Sequence, residues 1–280
     1  MVVLVTGASG QLGQALQALA PKYCALQFYF ASSAEADITN SASLAVVFSK
    51  VKPDYCINAA AYTAVDKAES EPEKAADVNT TGAKNIAEAC KAAGATLIHI
   101  STDFVFDGSK RTPYTEDDIT APQGVYGQTK RDGELLIEQT LKEHYIIRTS
   151  WLYSQYGHNF MKTMLRLGRE RDFLTVVNDQ TGTPTNANHL AEAIVTIILN
   201  DKKAYGIYHY SNEGVASWYD FAKKIFEVNN IAIDVQPIPT SAYPTPAKRP
   251  EYSVLDKSKF KEVFGIEIKS WEEALNSKNT

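Results

Sequence analysis

Two side chains able to carry out acid–base chemistry lie four residues apart in the segment VYGQTKRDGE. Tyr126 and Lys130 fall at positions i and i+4 near the start of a predicted helix and so share one face. A phenol with a pKa near ~10 can protonate the alkoxide that hydride transfer leaves on a ketone, if a nearby ammonium stabilises its anion. The pair alone is equally compatible with an exposed lysine packed along a tyrosine ring.

A hydroxyl group is expected beside this pair. The apolar run TLIHIST, residues 96–102, is predicted to be a strand that ends in Ser101 and Thr102. Ligands of parallel α/β sheets bind at the carboxyl ends of the strands. We therefore expect Thr102 to orient a carbonyl by a hydrogen bond while Tyr126 donates the proton and Lys130 supports it.

Glycines recur at every third position directly after the first apolar run. The segment VTGASGQLG places Gly7, Gly10 and Gly13, with Gln11 and Leu12 between them, where the predicted strand MVVLV meets a helical segment. The first amides of such a helix attract a pyrophosphate. The first glycine permits a tight turn, the second a close backbone approach and the third close helix–strand packing. This context favours a dinucleotide site over an ordinary βα turn.

Predicted strands and helices alternate through the first half of the chain. The strands fall at 1–5, 26–31, 55–60, 96–102 and 145–150, and the helices at 11–20, 41–50, 80–93 and 129–142. This alternation predicts an α/β fold with a Rossmann-type, doubly wound parallel sheet. We expect residues 1–150 to form an NAD(P)-binding domain.

Composition and charge exclude several classes of protein. The chain has 280 residues, of which 44% are hydrophobic and 22% charged, and its net charge is -5. These values are unlike those of disordered chains, and they give no basic surplus for nucleic acid or an anionic membrane. Thr6 and Gly7 interrupt the first apolar run, so no signal peptide is expected, and no stretch approaches the ~20 apolar residues of a membrane span. The pattern predicts a cytoplasmic protein with no nucleic-acid or membrane partner.

Neither a disulfide framework nor a metal site is expected. Cys24, Cys56 and Cys90 are odd in number, distant in sequence and without a Cys-x-x-Cys pair, which is typical of reduced thiols. The histidines show no pairing at ligand spacing. They are His99, His144, His158, His189 and His209.

These motifs resemble the extended branch of the short-chain dehydrogenase/reductase superfamily, whose chains open with TGxxGxxG. NAAAYTAVD, residues 58–66, is similar to the family segment that lines the cofactor, and ADI, residues 36–38, to the Asp-Ile pair beside adenine. The resemblance implies cofactor contacts from the following residues: Gly7, Gly10, Gln11, Leu12, Gly13, Asp37, Ile38, Ala59, Ala60, Ala61, Tyr62, Thr63, Tyr126 and Lys130.

The phosphate state of the cofactor is left open by the second strand. It runs into Ala31, Ser32 and Ser33, which include no acid for a ribose 2′-hydroxyl and no arginine for a 2′-phosphate. Either NADPH or NADH is therefore accommodated, with NADPH slightly favoured.

A narrower resemblance covers about residues 1–272. The ordered motifs NAAAYTAVDKAE, STDFVFDG, NDQTGTPT and RPEYSVLD are similar to those of the dTDP-4-dehydrorhamnose reductase family. The resemblance implies reduction of the ketone at carbon 4 of dTDP-4-dehydro-β-L-rhamnose. It also implies that residues 151–280 form mainly a smaller mixed α/β substrate lobe, with about 172–205 returning to the first domain. Phe104 follows Thr102 and Asp103 where related dehydratases carry glutamate, and this disfavours dehydration.

The same resemblance implies a set of substrate contacts. They are Val65, Thr102, Asp103, Tyr126, Trp151, Asn159, Phe160 and Arg249. An arginine can hold a diphosphate through paired hydrogen bonds, although a solvated surface charge is an equal alternative for Arg249. Ala15 stands where some family members place a magnesium-binding glutamate of their dimer interface, so we expect no metal and a monomer or weak homodimer.

Two other functions stay open at this point. One is a reductase or epimerase acting at carbon 4 of another nucleotide sugar. The other is a non-catalytic regulatory subunit of a methionine adenosyltransferase, a role that some relatives of this family have. The complete set of Thr102, Tyr126 and Lys130 favours an enzyme.

Overall fold

A parallel sheet of six strands forms the centre of the computed structural model, which describes residues 1–276. The strands of the protein are β1 (Val2–Thr6), β2 (Gln27–Ala31), β3 (Tyr55–Asn58), β4 (Thr96–Thr102), β5 (His144–Thr149), β6 (Leu152–Tyr153), β7 (Phe173–Val177), β8 (Thr181–Gly182), β9 (Thr185–Asn186), β10 (Gly206–His209), β11 (Ala216–Ser217) and β12 (Asp234–Ile238). The central sheet has the order β2–β1–β3–β4–β5–β10, and every neighbouring pair is parallel. The predicted Rossmann-type α/β fold is confirmed.

Helices cover both faces of this sheet. They are α1 (Gln11–Leu19), α2 (Ser41–Val51), α3 (Val65–Ala68), α4 (Pro72–Ala76), α5 (Gly82–Ala93), α6 (Val125–Thr140), α7 (Phe160–Glu170), α8 (Ala187–Asn200), α9 (Trp218–Val228), α10 (Ser258–Phe264) and α11 (Trp271–Asn276). A π-helix at Asp77–Thr81 joins α4 to α5, and short 3₁₀ helices lie at Ala20–Lys22, Asp103–Val105 and Thr240–Ala242. No helix among these described residues is both long and apolar enough to cross a membrane.

Alternating side chains of β1 enter two separate cores, because successive residues of a strand point to opposite faces. Val3 and Val5 pack with buried residues of α1, α8 and α10. Leu4 packs on the other face with buried residues of α2, α5 and α6. A strand buried on both faces has no room for polar alternation, which explains the continuous apolar run at the start of the sequence.

The second half of the chain is divided between the sheet and a separate lobe. In the lobe, β7 pairs in parallel with β12, and aromatic and aliphatic side chains of α7, α9 and α11 pack around them. The expected return to the first domain at about residue 172 is therefore misplaced, because β7 belongs to the lobe. The segment that contacts the sheet begins with α8, and β10 then extends the sheet. Of the expected lobe at 151–280, residues 277–280 lie outside the described part.

Helix α6 begins earlier than the sequence predicts. The prediction placed its start at about residue 129, whereas the helix begins at Val125. The Glu69 carboxylate accepts a hydrogen bond from the Val125 amide at 2.9 Å, and so caps the helix from a distant segment. This cap places Tyr126 and Lys130 together in the first two turns of α6.

Candidate active site

A cleft of about 700 Å³ opens at the carboxyl ends of the central strands, between the sheet and the lobe. Most of the predicted site residues line it. They are Gly10, Gln11, Leu12, Ala59, Ala61, Thr63, Val65, Thr102, Asp103, Tyr126, Lys130, Trp151, Asn159, Phe160 and Arg249. The structure thus brings the glycine loop and the acid–base residues to one cavity.

Six predicted cofactor residues lie outside the lining of this cleft. They are Gly7, Gly13, Asp37, Ile38, Ala60 and Tyr62. Asp37 accepts hydrogen bonds from the amide and hydroxyl of Thr39, and the Tyr62 hydroxyl donates to Glu71. Their part in cofactor binding stays a prediction.

The structure also reveals a carboxylate at the end of β2. Glu35 accepts hydrogen bonds of 2.9 Å from both the amide and the hydroxyl of Ser32. Glu35 lies beyond the residues that directly follow β2 in the sequence, and a turn brings its carboxylate back to the strand end. This carboxylate lies in the region where such folds bind the adenine ribose.

The glycine loop is shaped so that a phosphate can approach the start of α1. Gly7 has a φ of 69°, and a side chain there would place Cβ 2.5 Å from the Ala60 nitrogen. A Cβ on Gly13 would lie 2.5 Å from the Gly7 oxygen. The first turn of α1 carries neither a side-chain cap nor an acidic residue. Its free amides and the helix dipole therefore fit a dinucleotide pyrophosphate.

Replacing Gly7 with Ala is expected to lower the midpoint of thermal unfolding and to weaken NADPH binding at least about tenfold. The clash is with backbone atoms, so no side chain can move aside to relieve it. Gly94→Ala is the matched control, because Gly94 has the same φ of 69° and no atom within 4 Å of its added Cβ. Scanning calorimetry and fluorescence titration measure the two effects. If both variants lost equally in unfolding midpoint and in NADPH affinity, the positive φ angle alone would be responsible and the clash with Ala60 would not contribute.

The pKa values of Tyr126 and Lys130 are both shifted toward the neutral forms at this site. Burial raises the pKa of Tyr126 to about 12, although the Thr102 hydroxyl opposes the shift. Burial lowers the pKa of Lys130 to about 8, and the Glu134 carboxylate opposes that shift. A phenol that keeps its proton at neutral pH is suited to be a general acid.

Lys130 is held from behind by the strand on which Thr102 lies. Its ammonium nitrogen donates to the Ile100 carbonyl oxygen at 2.7 Å and lies 3.2 Å from His99 Nε2. The side chain is 1% exposed. These contacts leave it little freedom to leave the cleft.

Asp103 is a buried carboxylate directly beside Thr102. Its Oδ1 accepts a hydrogen bond from the Thr102 hydroxyl at 3.0 Å, whereas Oδ2 has no hydrogen-bond partner among the described residues. Burial raises the pKa of Asp103 to about 6. Hydrogen bonds from the Ser253 and Thr102 hydroxyls oppose this shift, and Asp103 belongs to the lining of the cleft.

Asp103→Asn is expected to stabilise the fold at pH 8 by about 2 kcal/mol. The folded-state pKa of about 6 exceeds the unfolded value of 3.8, so ionised Asp103 destabilises the fold above pH 6. Protonation removes this penalty, and the advantage of the variant should shrink as the pH falls from 6 to 4. Urea unfolding of both proteins from pH 8 to pH 4 measures this difference in the free energy of unfolding. Asp107→Asn is the control, since hydrogen bonds from Ser109 lower the pKa of Asp107 and its replacement should not stabilise the protein. A pH-independent difference would contradict the assignment.

Two stacked indoles form the wall of the cleft on the lobe side. The rings of Trp151 and Trp218 lie 3.6 Å apart and 8° from parallel, and Trp151 has a φ of 48°. A Cβ on Gly182 would lie 2.6 Å from the Trp151 ring, so this glycine makes room for the stack. Trp218 gives no signal in the sequence, because no local spacing indicates that it stacks on a residue as distant as Trp151.

Asn159 has a structural role that the substrate prediction did not include. Its side chain accepts from the Lys162 amide and caps α7. Its amide group donates to Gln11 Oε1 at 2.8 Å and to the Ser154 carbonyl oxygen at 2.8 Å. Gln11 therefore connects the glycine loop to the lobe. The predicted substrate contact of Asn159 would have to compete with these bonds.

Arg249 lines the cleft and forms an ion pair with Asp66. Its guanidinium donates to both carboxylate oxygens of Asp66, at 3.0 and 2.8 Å. Hydrogen bonds from Arg249 lower the pKa of Asp66. A freely solvated charge is thus the wrong alternative for Arg249, and its predicted contact with a diphosphate remains to be tested.

A buried ion pair joins α6, which carries Tyr126 and Lys130, to β5. Arg148 on β5 donates to both oxygens of Glu134 on α6, at 3.0 and 2.8 Å, and Arg131 donates to the same carboxylate at 3.0 Å. Burial opposes ionisation of Glu134, but the two guanidinium groups outweigh it, so the pKa of Glu134 is lowered. The pair joins α6 to the sheet about two turns after Tyr126.

The three cysteines are free, and two of them are buried. Burial raises the pKa of Cys90, and the neighbouring Cys56 thiol raises it further. Within residues 1–276, no group of three or more His, Cys, Asp or Glu side chains could hold a metal ion. Ala15, which stands where some family members place a magnesium-binding glutamate, is buried in α1.

The parallel sheet, the glycine loop and the Thr102, Tyr126 and Lys130 set define an oxidoreductase of the extended short-chain dehydrogenase/reductase class. The family model described as RmlD substrate binding domain matches residues 1–278. The chain belongs to this family, and its curated relatives include dTDP-4-dehydrorhamnose reductases. The one from Escherichia coli is 43% identical, and the match covers 97% of this chain and 95% of that protein.

Solved structures agree with this assignment over nearly the whole chain. A dTDP-4-dehydrorhamnose reductase from Clostridium acetobutylicum is 42% identical and has a TM-score of 0.94, covering 99% of this chain and 97% of that one. One from Bacillus anthracis, in complex with NADP, is 41% identical and has a TM-score of 0.94. The match covers 98% of this chain and 96% of that one.

Proposed function

We infer that this protein reduces the ketone at carbon 4 of dTDP-4-dehydro-β-L-rhamnose to give dTDP-β-L-rhamnose, the last step of dTDP-L-rhamnose synthesis. NADPH or NADH serves as the reductant. The observation that carries this function is the convergence of the glycine loop with Thr102, Tyr126 and Lys130 on one cleft, in a chain of this family.

The cofactor, when bound, supplies a hydride to carbon 4 of the sugar. Tyr126 then gives the hydroxyl proton to the sugar oxygen, which completes the alcohol. Burial keeps that proton on the phenol at neutral pH. Lys130, in its ammonium form, stabilises the phenolate that remains and positions the cofactor ribose.

Thr102 orients the ketone in this proposal. Its hydroxyl hydrogen points to Asp103 and turns to the substrate oxygen when the sugar binds. Asp103 Oδ2, Trp151 and Val65 then face the deoxyhexose. We propose that residues 1–150, together with α8 and β10, hold the cofactor, whereas the lobe holds the sugar nucleotide.

Arg249 is proposed to contact the diphosphate of the substrate. It lines the cleft with a planar guanidinium already fixed by Asp66. Fixed orientation lowers the entropic cost of binding a second anion. We also propose that the protein acts as a monomer or weak homodimer, since buried Ala15 offers no metal ligand.

The decisive experiment mixes the purified protein with dTDP-4-dehydrorhamnose and follows the loss of reduced-nicotinamide absorbance. NADPH and NADH are tested separately, and the product is compared with dTDP-L-rhamnose by chromatography. Stoichiometric oxidation with formation of that sugar is the expected result. Cofactor binding without turnover would overturn the rhamnose assignment and direct the search to other nucleotide sugars.

A further inference from the structure

Behind Lys130, three adjacent strands present a row of buried polar side chains. Thr6 on β1 aligns with Asn58 on β3, and Asn58 aligns with His99 on β4. All three are at most 1% exposed. The row ends at Lys130, whose ammonium nitrogen lies 3.2 Å from His99 Nε2. Polar groups in such a place must satisfy one another.

Two hydrogen bonds to its side-chain oxygen determine which way the Asn58 amide is turned. The Ala60 backbone amide donates to Oδ1 at 3.2 Å, and the Thr6 hydroxyl donates to the same oxygen at 2.8 Å. A backbone N–H cannot accept a hydrogen bond, so the oxygen must face it. The amide nitrogen of Asn58 therefore faces His99 Nδ1, at 3.1 Å.

This orientation determines the tautomer of His99. An amide N–H donates to Nδ1, so Nδ1 is an acceptor and the ring proton lies on Nε2. Burial lowers the pKa of His99, and the positive charge of Lys130 lowers it further, which keeps the ring neutral. The Nε2–H group then points at the nitrogen of Lys130.

An ammonium has three donors and no acceptor, whereas a neutral amine has a lone pair that can accept from Nε2–H. The fixed row therefore disfavours the charged form of Lys130. We propose that His99 is a positioning residue, which Asn58 locks as a donor and which thereby controls whether Lys130 is charged in the reaction cycle.

Some of the other charged and titratable groups around Lys130 favour its ammonium form, and others oppose it. Tyr126, Arg131 and Glu134 lie on its own helix, Asp103 follows β4, and His144 and Arg148 lie on β5. Glu134 favours the ammonium, but it is already paired with two arginines. His99 alone among them is within hydrogen-bonding distance of the nitrogen in the described residues.

The proposal predicts that Asn58→Asp reverses the tautomer. The aspartate keeps one oxygen for Ala60 and Thr6, and its other oxygen accepts from His99 Nδ1–H. His99 Nε2 then accepts from the Lys130 ammonium. The added carboxylate also favours that charge, so the pKa of Lys130 should rise.

The first test uses nitrogen-15 histidine labelling of the whole protein and a long-range proton–nitrogen correlation spectrum. The wild type should show His99 protonated at Nε2, and Asn58→Asp should show it protonated at Nδ1. His99→Gln assigns the signal. A wild-type His99 protonated at Nδ1 overturns the proposal. This measurement needs no turnover, so its result stands apart from that of the reductase assay, and the wild type alone suffices if a variant fails to fold.

The second test is the pH profile of kcat and rests on the proposed function. In Asn58→Asp, the alkaline limb should move to higher pH by about one pH unit, with KM changed less than about twofold. Asn40→Asp is the matched control, since it adds the same charge at the exposed cap of α2 and keeps that cap. An unmoved limb, or an equal movement in the control, overturns the proposal.

Discussion

Replacing Tyr126 with Phe lowers kcat at least about 100-fold and leaves KM for the sugar nucleotide within about threefold. The variant keeps the ring, which packs edge-on against Phe104 at 5.5 Å, and removes only the hydroxyl that donates the proton. The loss therefore belongs to the transition state rather than to binding. Initial rates of NADPH or NADH oxidation measure it.

The matched control for this variant is Tyr208→Phe. Tyr208 lies on β10, and its hydroxyl donates to the Ala204 carbonyl oxygen, outside the cleft. The Tyr208→Phe variant also loses a phenolic oxygen, and its kcat should stay close to that of the wild type. If Tyr126→Phe also retained a third or more of the wild-type kcat, another group would have to be the proton donor.

Replacing Arg148 with Met should lower the free energy of unfolding by about 3–5 kcal/mol. The variant leaves Glu134 fully buried with Arg131 as its remaining ion-pair partner. Without Arg148, the Glu134 carboxylate loses two hydrogen bonds and the attraction of a guanidinium. The cost of burying its charge remains, so the folded state is destabilised. Urea unfolding followed by circular dichroism at pH 7 gives the difference.

Two further variants sharpen this measurement. Arg131→Met removes a partner that is 20% exposed, and solvent screening should limit its effect to about 1 kcal/mol. Combining Arg148→Met with Glu134→Leu should regain most of the lost unfolding free energy, because the buried carboxylate is then removed together with its guanidinium partner. The interpretation is wrong if the two arginine variants cost the same.

The unfolding free energy that is lost in Arg148→Met should depend on pH in one direction. The folded-state pKa of Glu134 is lowered from 4.5, so its ionised form stabilises the wild type fully above that pH. Protonation removes this contribution as the pH falls through the folded-state value. The difference in unfolding free energy between wild type and variant should therefore narrow as the pH falls and Glu134 becomes protonated in both proteins.

The parts of the site that a short segment encodes were predictable. Gly7, Gly10 and Gly13 reveal a phosphate site because spacing, strand and helix lie within one stretch. Tyr126 and Lys130 are on one helical turn, and Thr102 ends a strand that its apolar run reveals. In each case the chemistry and the element that positions it are read from the same few residues.

The parts built by distant segments were not predictable. The early start of α6 depends on Glu69, and the tautomer of His99 depends on Asn58 and Ala60. Trp218 becomes a cleft residue only through its stack with Trp151. Neither periodicity nor composition encodes which remote pairs meet, so a single sequence gives no signal for them.

The placement of β10 at the edge of the sheet has a consequence for synthesis of the chain on the ribosome. Until residues 206–209 emerge, β5 presents an unpaired edge, and until α8 emerges one sheet face lacks that cover. At the usual speed of translation, the residues from 150 to 209 take about 3 to 12 seconds to appear. The nascent first half is therefore exposed to strand pairing with other chains during this interval. Chaperone contact would be most useful to the cell at that stage.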